Sequence, residues 1–169
     1  MKKHLIVLVA ISLLAGASCQ QKIDNEKEMK ALWTSDLEAW NGSDLSVLDE
    51  ILSPNYLRHE VDISEDIIGI EAYKENITAN RTSIPDFNVT TDELIIKGDI
   101  IVGRWTVTGT NTGPSTTGLP PTGNKIKISG AAIMHVVDGK ISETWMFYNH
   151  AALLTQLNYT ITPPTPPEL

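Results

Sequence analysis

The sequence predicts a single α+β domain in which helices cover one face of a curved antiparallel sheet. Apolar residues recur at spacings of three and four up to about residue 79, whereas from residue 87 onward they alternate with polar residues. A length of 169 residues and a hydrophobic fraction of 41% suit one globular domain. Helices on the concave side of long, bent strands leave a pocket at the open end, where we expect a ligand.

The first 18 residues have the three parts of an export signal. Lys2 and Lys3 provide the positive start, residues 5–14 form an almost unbroken apolar run, and residues 15–18 are small. The apolar run is too short to span a bilayer as a stable helix. We therefore exclude residues 1–18 from the folded domain.

Cys19 is the only cysteine, so the chain has no internal disulfide. Small residues followed by a cysteine at the cleavage point resemble the bacterial lipoprotein box, in which that cysteine carries the lipid. The resemblance implies membrane attachment through Cys19 in the cell envelope. Because Gln20 is not aspartate, it favours the outer membrane of a Gram-negative bacterium. The alternative is ordinary secretion with an incidental cysteine.

Helical periodicity predicts three helices before the strands. They cover about residues 26–40, 44–53 and 69–79. Asn41-Gly42 ends the first helix and Ser53-Pro54 ends the second. Residues 56–59 are predicted to be extended.

Alternation with period two then predicts the strands. Their ranges are 87–91, 94–97, 100–110, 125–137 and 141–148. Gly98-Asp99 and Asp138-Gly139 are predicted hairpin turns, the latter of type I′. A loop over residues 111–124 and a last helix over 151–157 complete the domain. The predicted division is signal 1–18, tether 19–28, domain 29–158 and a disordered Pro/Thr tail 159–169.

The charge and the motif content of the sequence argue against several classes of function. The formal net charge is −8 and becomes more negative when the two lysines of the signal are removed, which argues against nucleic acid as a partner. The four histidines show no metal-ligand spacing, and the chain has neither a Gly-x-Ser-x-Gly elbow nor a phosphate-binding loop. We expect no metal and no other cofactor.

An ordered set of short segments resembles the SnoaL-like proteins, also called polyketide-cyclase-like or ester-cyclase-like. The segments are NGSDL at 41–45, YLRH at 56–59, GIEAYK at 69–74, PDF at 85–87, RW at 104–105, GLPPTG at 118–123, DGKI at 138–141 and ETW at 143–145. The resemblance implies the cone-shaped α+β barrel of the nuclear-transport-factor-2 superfamily, with helices on the concave face. It also implies a hydrophobic pocket and a homodimer through the sheet.

The cyclases of this family use an aspartate as acid/base without a metal, so candidate proton-transfer groups matter here. His59 matches the histidine after the second helix of the family, and Glu143 matches the glutamate before Trp145. Each has a structural alternative: a hydrogen-bonded histidine, and a Glu143 paired with Arg104. Asn149 stands where many relatives carry aspartate, and an amide cannot take up a proton.

Two main hypotheses follow. The first is an envelope lipoprotein whose domain binds a small apolar or amphipathic molecule in the cone. The second is a cyclase or isomerase that uses His59 or Glu143 as base, and a weaker third is a non-catalytic envelope interaction protein. The candidate ligand-binding residues are Arg104, Trp145, Asn149, Tyr56, Thr106 and Trp40. His135 is predicted to lie on the strand surface and His150 near the pocket mouth.

Overall fold

A computed structural model describes residues 25–42, 44–115 and 120–160. It confirms the α+β fold class, with a six-stranded sheet and helices packed against it. The export signal, Cys19, most of the tether and residues 161–169 lie outside the described residues, so those predictions are not addressed by the structure.

Four helices and six strands make up the described part of the domain. They are α1 (residues 25–40), α2 (Val47–Ile51), β1 (Leu52–Glu60), β2 (Glu65–Ile68), α3 (Ile70–Ser83), β3 (Asn88–Lys97), β4 (Ile100–Thr110), β5 (Lys125–Val137), β6 (Lys140–Tyr148) and α4 (His150–Gln156).

The sheet has the order β2-β1-β6-β5-β4-β3. β1 runs parallel to β6, and the other neighbouring pairs are antiparallel. Strands β3 to β6 pair in chain order; short turns join β3 to β4 and β5 to β6, and residues 111–124 connect β4 to β5. In the Asp138-Gly139 turn both residues have positive φ (51° and 74°), as a type I′ turn requires.

One face of the sheet, here called the inner face, is covered by helices α1 and α3. Trp33 of α1 packs directly onto Gly103 of β4, and its indole N–H donates to Thr91 Oγ1 at 2.9 Å. Tyr73 and Ile77 are the buried residues of α3. The main hydrophobic core lies between these helices and the inner face.

The second helix and the strand after it differ from the prediction. α2 ends at Ile51, and Leu52, Ser53 and Pro54 already belong to β1. Pro54 is tolerated there because the pairing of β1 with β6 is interrupted between Leu52 and Leu57, so no ladder hydrogen bond is lost. The mainly exposed strand β2 was not predicted, since only one of its four residues is even half-buried.

The remaining elements agree with the prediction in type; β4 and β5 also have the predicted bounds, and the others differ by a few residues. α3 extends to Ser83, four residues beyond the predicted end. The two strands predicted over 87–91 and 94–97 form one strand, β3, with a register shift between Thr91 and Glu93. Such a bulge resets the alternation, which explains why the sequence pattern shows a break there.

Candidate functional site

A buried polar network occupies the inner face where β1 meets α1 and α3. The Tyr73 hydroxyl donates to Asp36 Oδ1 at 2.8 Å and accepts from Trp40 Nε1 at 2.7 Å. Arg58 Nη1 donates to the same hydroxyl oxygen at 3.2 Å, and Arg58 Nε lies 2.6 Å from Glu60 Oε1. Its guanidinium also lies over the rings of Trp40 and Tyr73, 5.3 and 5.2 Å from their centroids.

Burial shapes the ionisation of this network. Desolvation raises the pKa of Asp36, and the hydrogen bond from Tyr73 and the charge of Arg58 only partly oppose it. Burial alone would lower the pKa of Arg58, but Tyr73 and Glu60 reverse the effect and raise it. The cation of Arg58 is therefore permanent and already paired with the carboxylate of Glu60.

A second group of inner-face residues lies where β6 ends and α4 begins, here called the α4 end. Trp105 of β4 packs directly onto Gly130 of β5, and its ring centroid lies 6.1 Å from that of Tyr148. The Tyr148 hydroxyl lies 3.3 Å from His150 Nδ1. Burial, followed by the charge of Glu60, raises the pKa of Tyr148 to about 12, so the phenol is neutral at physiological pH.

Trp105 carries an unusual polar atom. Its side chain is buried, with 8% of the residue exposed, yet Nε1 has no hydrogen-bond partner among the described residues. Buried N–H groups are nearly always paired because an unmade hydrogen bond costs about 1–3 kcal/mol. Trp105 Nε1 is therefore a donor in need of an acceptor.

The predicted acid/base residues lie on the opposite, outer face of the sheet. His59 is held between two carboxylates, with Nδ1 2.8 Å from Asp66 Oδ1 and Nε2 2.8 Å from Glu143 Oε1. Its ring stacks on Trp145 at a centroid distance of 5.0 Å, and His135 contacts the same indole at 4.8 Å. The structure thus brings His59, Glu143 and Trp145 together, but away from the inner face.

Arg104 and Thr106 also lie on the outer face. Arg104 Nη1 pairs with Asp92 Oδ2 at 2.9 Å, and Thr106 Oγ1 donates to the same carboxylate oxygen at 2.8 Å. The ion pair between Glu143 and Arg104 that the sequence offered as an alternative does not form. β4 projects Arg104 next to the β3 bulge, whereas Glu143 of β6 faces His59 of β1.

Among the other predicted ligand-binding residues, Tyr56 is buried on the inner face and Trp40 belongs to the network described above. Asn149 caps α4, because its Oδ1 accepts from the Ala152 amide at 2.9 Å. Trp40 and Phe87 also line an open groove of about 710 Å³ beside α3. Ligand sites commonly have volumes of roughly 300–1,000 Å³, so this groove is large enough for a small molecule.

Arrangements typical of two other kinds of site are absent from the described ranges. No group of three or more His, Cys, Asp and Glu side chains there has the arrangement of a metal site. Within the same ranges no helix combines the length and apolarity needed to cross a membrane.

Comparison with known proteins decides the family. The model of the SnoaL-like polyketide cyclases matches residues 32–157, which is most of the chain. The chain belongs to the SnoaL-like family. No curated protein sequence matches it.

Solved structures of similar proteins agree with the fold. TsrD from Streptomyces laurentii is 29% identical, with a TM-score of 0.69 over 79% of this chain and 97% of TsrD. AclR from Streptomyces galilaeus is 26% identical, with a TM-score of 0.68 over 83% and 86%. A SnoaL-like protein from Jannaschia sp. CCS1 shares the fold at 22% identity, with a TM-score of 0.69 over 83% and 95%.

Several inner-face residues of this SnoaL-like domain were missed by the sequence analysis. Asp36 lies three residues after Trp33 and four before Trp40, a spacing that places it on the buried side of α1. Arg58 and Glu60 flank His59, so strand alternation puts them on the face opposite to it. These signals were available, whereas nothing in the sequence marked Trp105 as unpaired.

The outer-face cluster predicts a pH-dependent stability. Hydrogen bonds from Glu143, and then Asp66, raise the pKa of His59 above its ordinary value of 6.5. His59 therefore binds its proton more tightly in the folded state than in the unfolded state. The contribution of His59 to the free energy of unfolding is fully present below pH 6.5 and is lost as the pH rises through the folded pKa.

The thermal stability of the wild type should fall as the pH rises above 6.5, and we expect this fall to be smaller in His59→Asn. Thermal unfolding followed by circular dichroism between pH 5.5 and about 8.5 measures this, because histidine charge changes in this range. His59→Gln should flatten the slope in the same way, because it also removes the imidazole. An unchanged slope in His59→Asn would contradict the assignment.

Proposed function

We propose that this chain is an envelope lipoprotein whose SnoaL-like domain binds a small, amphipathic molecule on the inner face without transforming it. The observation that carries the proposal is the buried, unpartnered Nε1 of Trp105 on the helix-covered face. Such a donor is satisfied when an acceptor atom of a bound molecule reaches it. The ring of Tyr148 beside it supplies apolar contact area.

The titratable groups already have ion-pair or hydrogen-bond partners, and this favours binding over acid/base catalysis. The charge of Glu60 is compensated by Arg58, and Asp36 accepts the hydrogen bond of Tyr73. On the outer face, both nitrogens of His59 are engaged by carboxylates. A general base needs a free lone pair within reach of the substrate, and the imidazole of His59 offers none as arranged, while Glu60 and Asp36 each already hold a partner.

The decisive experiment is native mass spectrometry of the protein purified from its own source. We expect a retained small molecule that leaves when the protein is unfolded. A protein that carries no molecule, and that binds none from an extract of the same cells, would contradict the proposal. A molecule that is released chemically altered would favour the cyclase or isomerase alternative instead.

The envelope location rests on the N-terminal sequence, in which Cys19 follows an export signal. We expect Cys19→Ser to move the protein from the membrane fraction to the soluble fraction, because one lipidated residue provides the attachment. Fractionation with detection by antibody measures this. Equal membrane association of Cys19→Ser and wild type would show that lipidation of Cys19 is not the anchor.

The outer face of the sheet is suited to pack against a second copy of this chain. An apolar row crosses four strands in register, formed by Ile95, Val102, Ile133 and Trp145. Ile95 is 56% exposed, and Ile68 and Phe147 are exposed on the same face. A row that runs across a sheet can pack on itself about a two-fold axis. Sedimentation velocity should therefore show a dimer, and a monomer at all concentrations would contradict this.

A further inference from the structure

One end of the sheet has the features of a membrane contact. It is formed by the β3–β4 and β5–β6 turns, residues 97–100 and 137–140, here called the hairpin end. We infer that the hairpin end rests on the lipid surface, with the exposed side chains of Ile100 and Val137 in contact with lipid. The inference rests on the lipoprotein function proposed above, because the lipid on Cys19 brings the domain to the membrane.

The two turns of the hairpin end lie side by side. Ile100 is the cross-strand partner of His135, and the Val136 N–H donates to the Asp99 carbonyl at 2.9 Å. Strand alternation places Ile100 and Val137 on the outer face, where they are 41% and 57% exposed. The hairpin end thus presents two neighbouring apolar side chains to its surroundings.

Helix α1 points its N-terminus toward the hairpin end. The C-terminal end of α1 is fixed at the start of β3, because the Asn41 side chain bonds to the backbone of Val89. Earlier in the helix, Trp33 bonds to Thr91 and packs on Gly103, a position level with the second half of β3. These contacts move along β3 toward its end as α1 is followed backward, so the first residues of α1 lead toward the β3–β4 turn.

The connection between the lipid and α1 is short. Five residues, 20–24, separate Cys19 from residue 25, where the described part of α1 begins. A fully extended chain spans at most about 3.6 Å per residue, so the start of α1 lies within roughly 22 Å of Cys19. The N-terminal end of α1, and with it the hairpin end, is therefore held near the membrane.

A second turn exposes apolar residues, and the tether decides between the two. Val61 and Ile63 of the β1–β2 turn are exposed to a similar extent. Because β1 runs parallel to β6, which starts at the hairpin end, this turn lies at the opposite end of the sheet. At about 1.5 Å per residue α1 alone rises roughly 23 Å toward that end, which already uses the full reach of the tether.

Charge at the hairpin end does not oppose the contact. The chain has a formal net charge of −8, and an anionic lipid surface repels an acidic protein. In the two turns Lys97 and Lys140 balance Asp99 and Asp138, so the formal charges cancel. Apolar side chains that enter the interface then add to the attraction that the lipid provides.

This orientation places the open groove beside α3 away from the membrane. Trp40, Thr82 and Phe87 line the groove and belong to the ends of α1 and α3 and to the start of β3, opposite to the hairpin end. A molecule would therefore enter the groove from the aqueous compartment and not from the lipid.

Fluorescence quenching by spin-labelled lipid tests the orientation on the full, lipidated chain. Cys19 is the only cysteine and its thiol is consumed by the lipid, so an introduced cysteine is the single labelling site. Asp99→Cys places a fluorophore at the hairpin end, and the matched Asn88→Cys places it at the start of β3; both positions are exposed. Vesicles of phosphatidylethanolamine and phosphatidylglycerol are compared with and without a nitroxide on the headgroup.

We expect the nitroxide to quench most of the fluorescence at position 99 and little at position 88, because the ten residues of β3 span about 33 Å. Ile100→Ser combined with Val137→Ser should weaken the quenching at position 99. Val61→Ser combined with Ile63→Ser is the matched control, since it removes two exposed apolar side chains from the opposite end. It should leave the quenching at position 99 unchanged.

Equal quenching at the two positions, or stronger quenching at position 88, would overturn the inference and leave the lipid anchor intact. Quenching at position 99 that survives the Ile100 and Val137 substitutions would also overturn it. If those substitutions instead convert a dimer to a monomer without changing the quenching, the two side chains belong to the interface between two copies. A lipidated protein that does not float with the vesicles would contradict the lipoprotein function itself, and the inference with it.

Discussion

Replacing Arg58 with methionine is expected to lower the free energy of unfolding by about 3–5 kcal/mol, the range measured when one partner of a buried ion pair is removed. The side chains of Arg58 and Glu60 are 6% and 10% exposed. Without the guanidinium, the Glu60 carboxylate would remain buried and unpaired. Tyr73 would also lose one of the donors to its hydroxyl. Chemical denaturation at neutral pH measures the change.

The outer face supplies the control. Arg104 also pairs with a carboxylate, Asp92, but its side chain is 54% exposed. Exposed ion pairs contribute about 0–1 kcal/mol, so Arg104→Met should be nearly neutral. The double variant Arg58→Met with Glu60→Leu should recover much of the loss, because it removes both buried charges. Equal effects of the Arg58 and Arg104 variants would contradict the assigned role of the buried pair.

The sequence was sufficient to predict which residues of a strand share a face, but not which face the helices cover. In β4, alternation separates Arg104 and Thr106 from Trp105 and Val107. Alternation alone does not decide whether the polar set faces solvent or a pocket, and the structure places it on the outer face. The choice depends on packing between α1 and β4, which no local pattern contains.

Strands whose pattern is interrupted were the hardest to predict. The Ser53-Pro54 pair is a typical helix end, yet it lies inside β1 where the ladder with β6 is broken. β2 is a four-residue edge strand with β1 as its partner, and its residues do not alternate between apolar and polar. Both elements are specified by their neighbours in the sheet, so their own residues carry a weak signal.

The candidate site also contains residues that the sequence singled out and residues that it did not. His59, Glu143 and Trp145 were singled out by resemblance, and the structure does bring them together, as a hydrogen-bonded and stacked cluster. Their functional roles remain predictions. The inner-face network instead depends on Arg58, which alternation placed beside His59 and on the opposite face. A histidine is conspicuous in a sequence, whereas a buried arginine is recognised only from its partners.

One glycine of β4 determines how closely α1 packs on the inner face. Gly103 belongs to the inner-face set of β4, and the Trp33 ring lies where a side chain at this position would begin. Trp33 therefore approaches the sheet closely, which sets the distance of α1 from β4. Asp36, one turn further along α1, is brought within reach of Tyr73 by the same approach.

Gly103→Val is therefore expected to lower the free energy of unfolding by roughly 3 kcal/mol, at the upper end of the cost of overpacking a core. Valine suits a β-strand, so the loss would come from the displaced Trp33 ring and not from strand propensity. Thr108→Val, on the outer face of the same strand, is the control and should change stability little. Chemical denaturation of both variants measures the difference.

The cause can be tested by making room for the new side chain. In the double variant Gly103→Val with Trp33→Leu, the smaller residue leaves space, so its loss should be clearly less than the sum of the two single losses. Strict additivity would mean that the two positions do not interact. If Gly103→Val also shifts the Trp40 indole N–H signal, the displacement of α1 has reached the hydrogen bond between Trp40 and Tyr73. We expect that shift, because both residues of α1 move as one rigid helix.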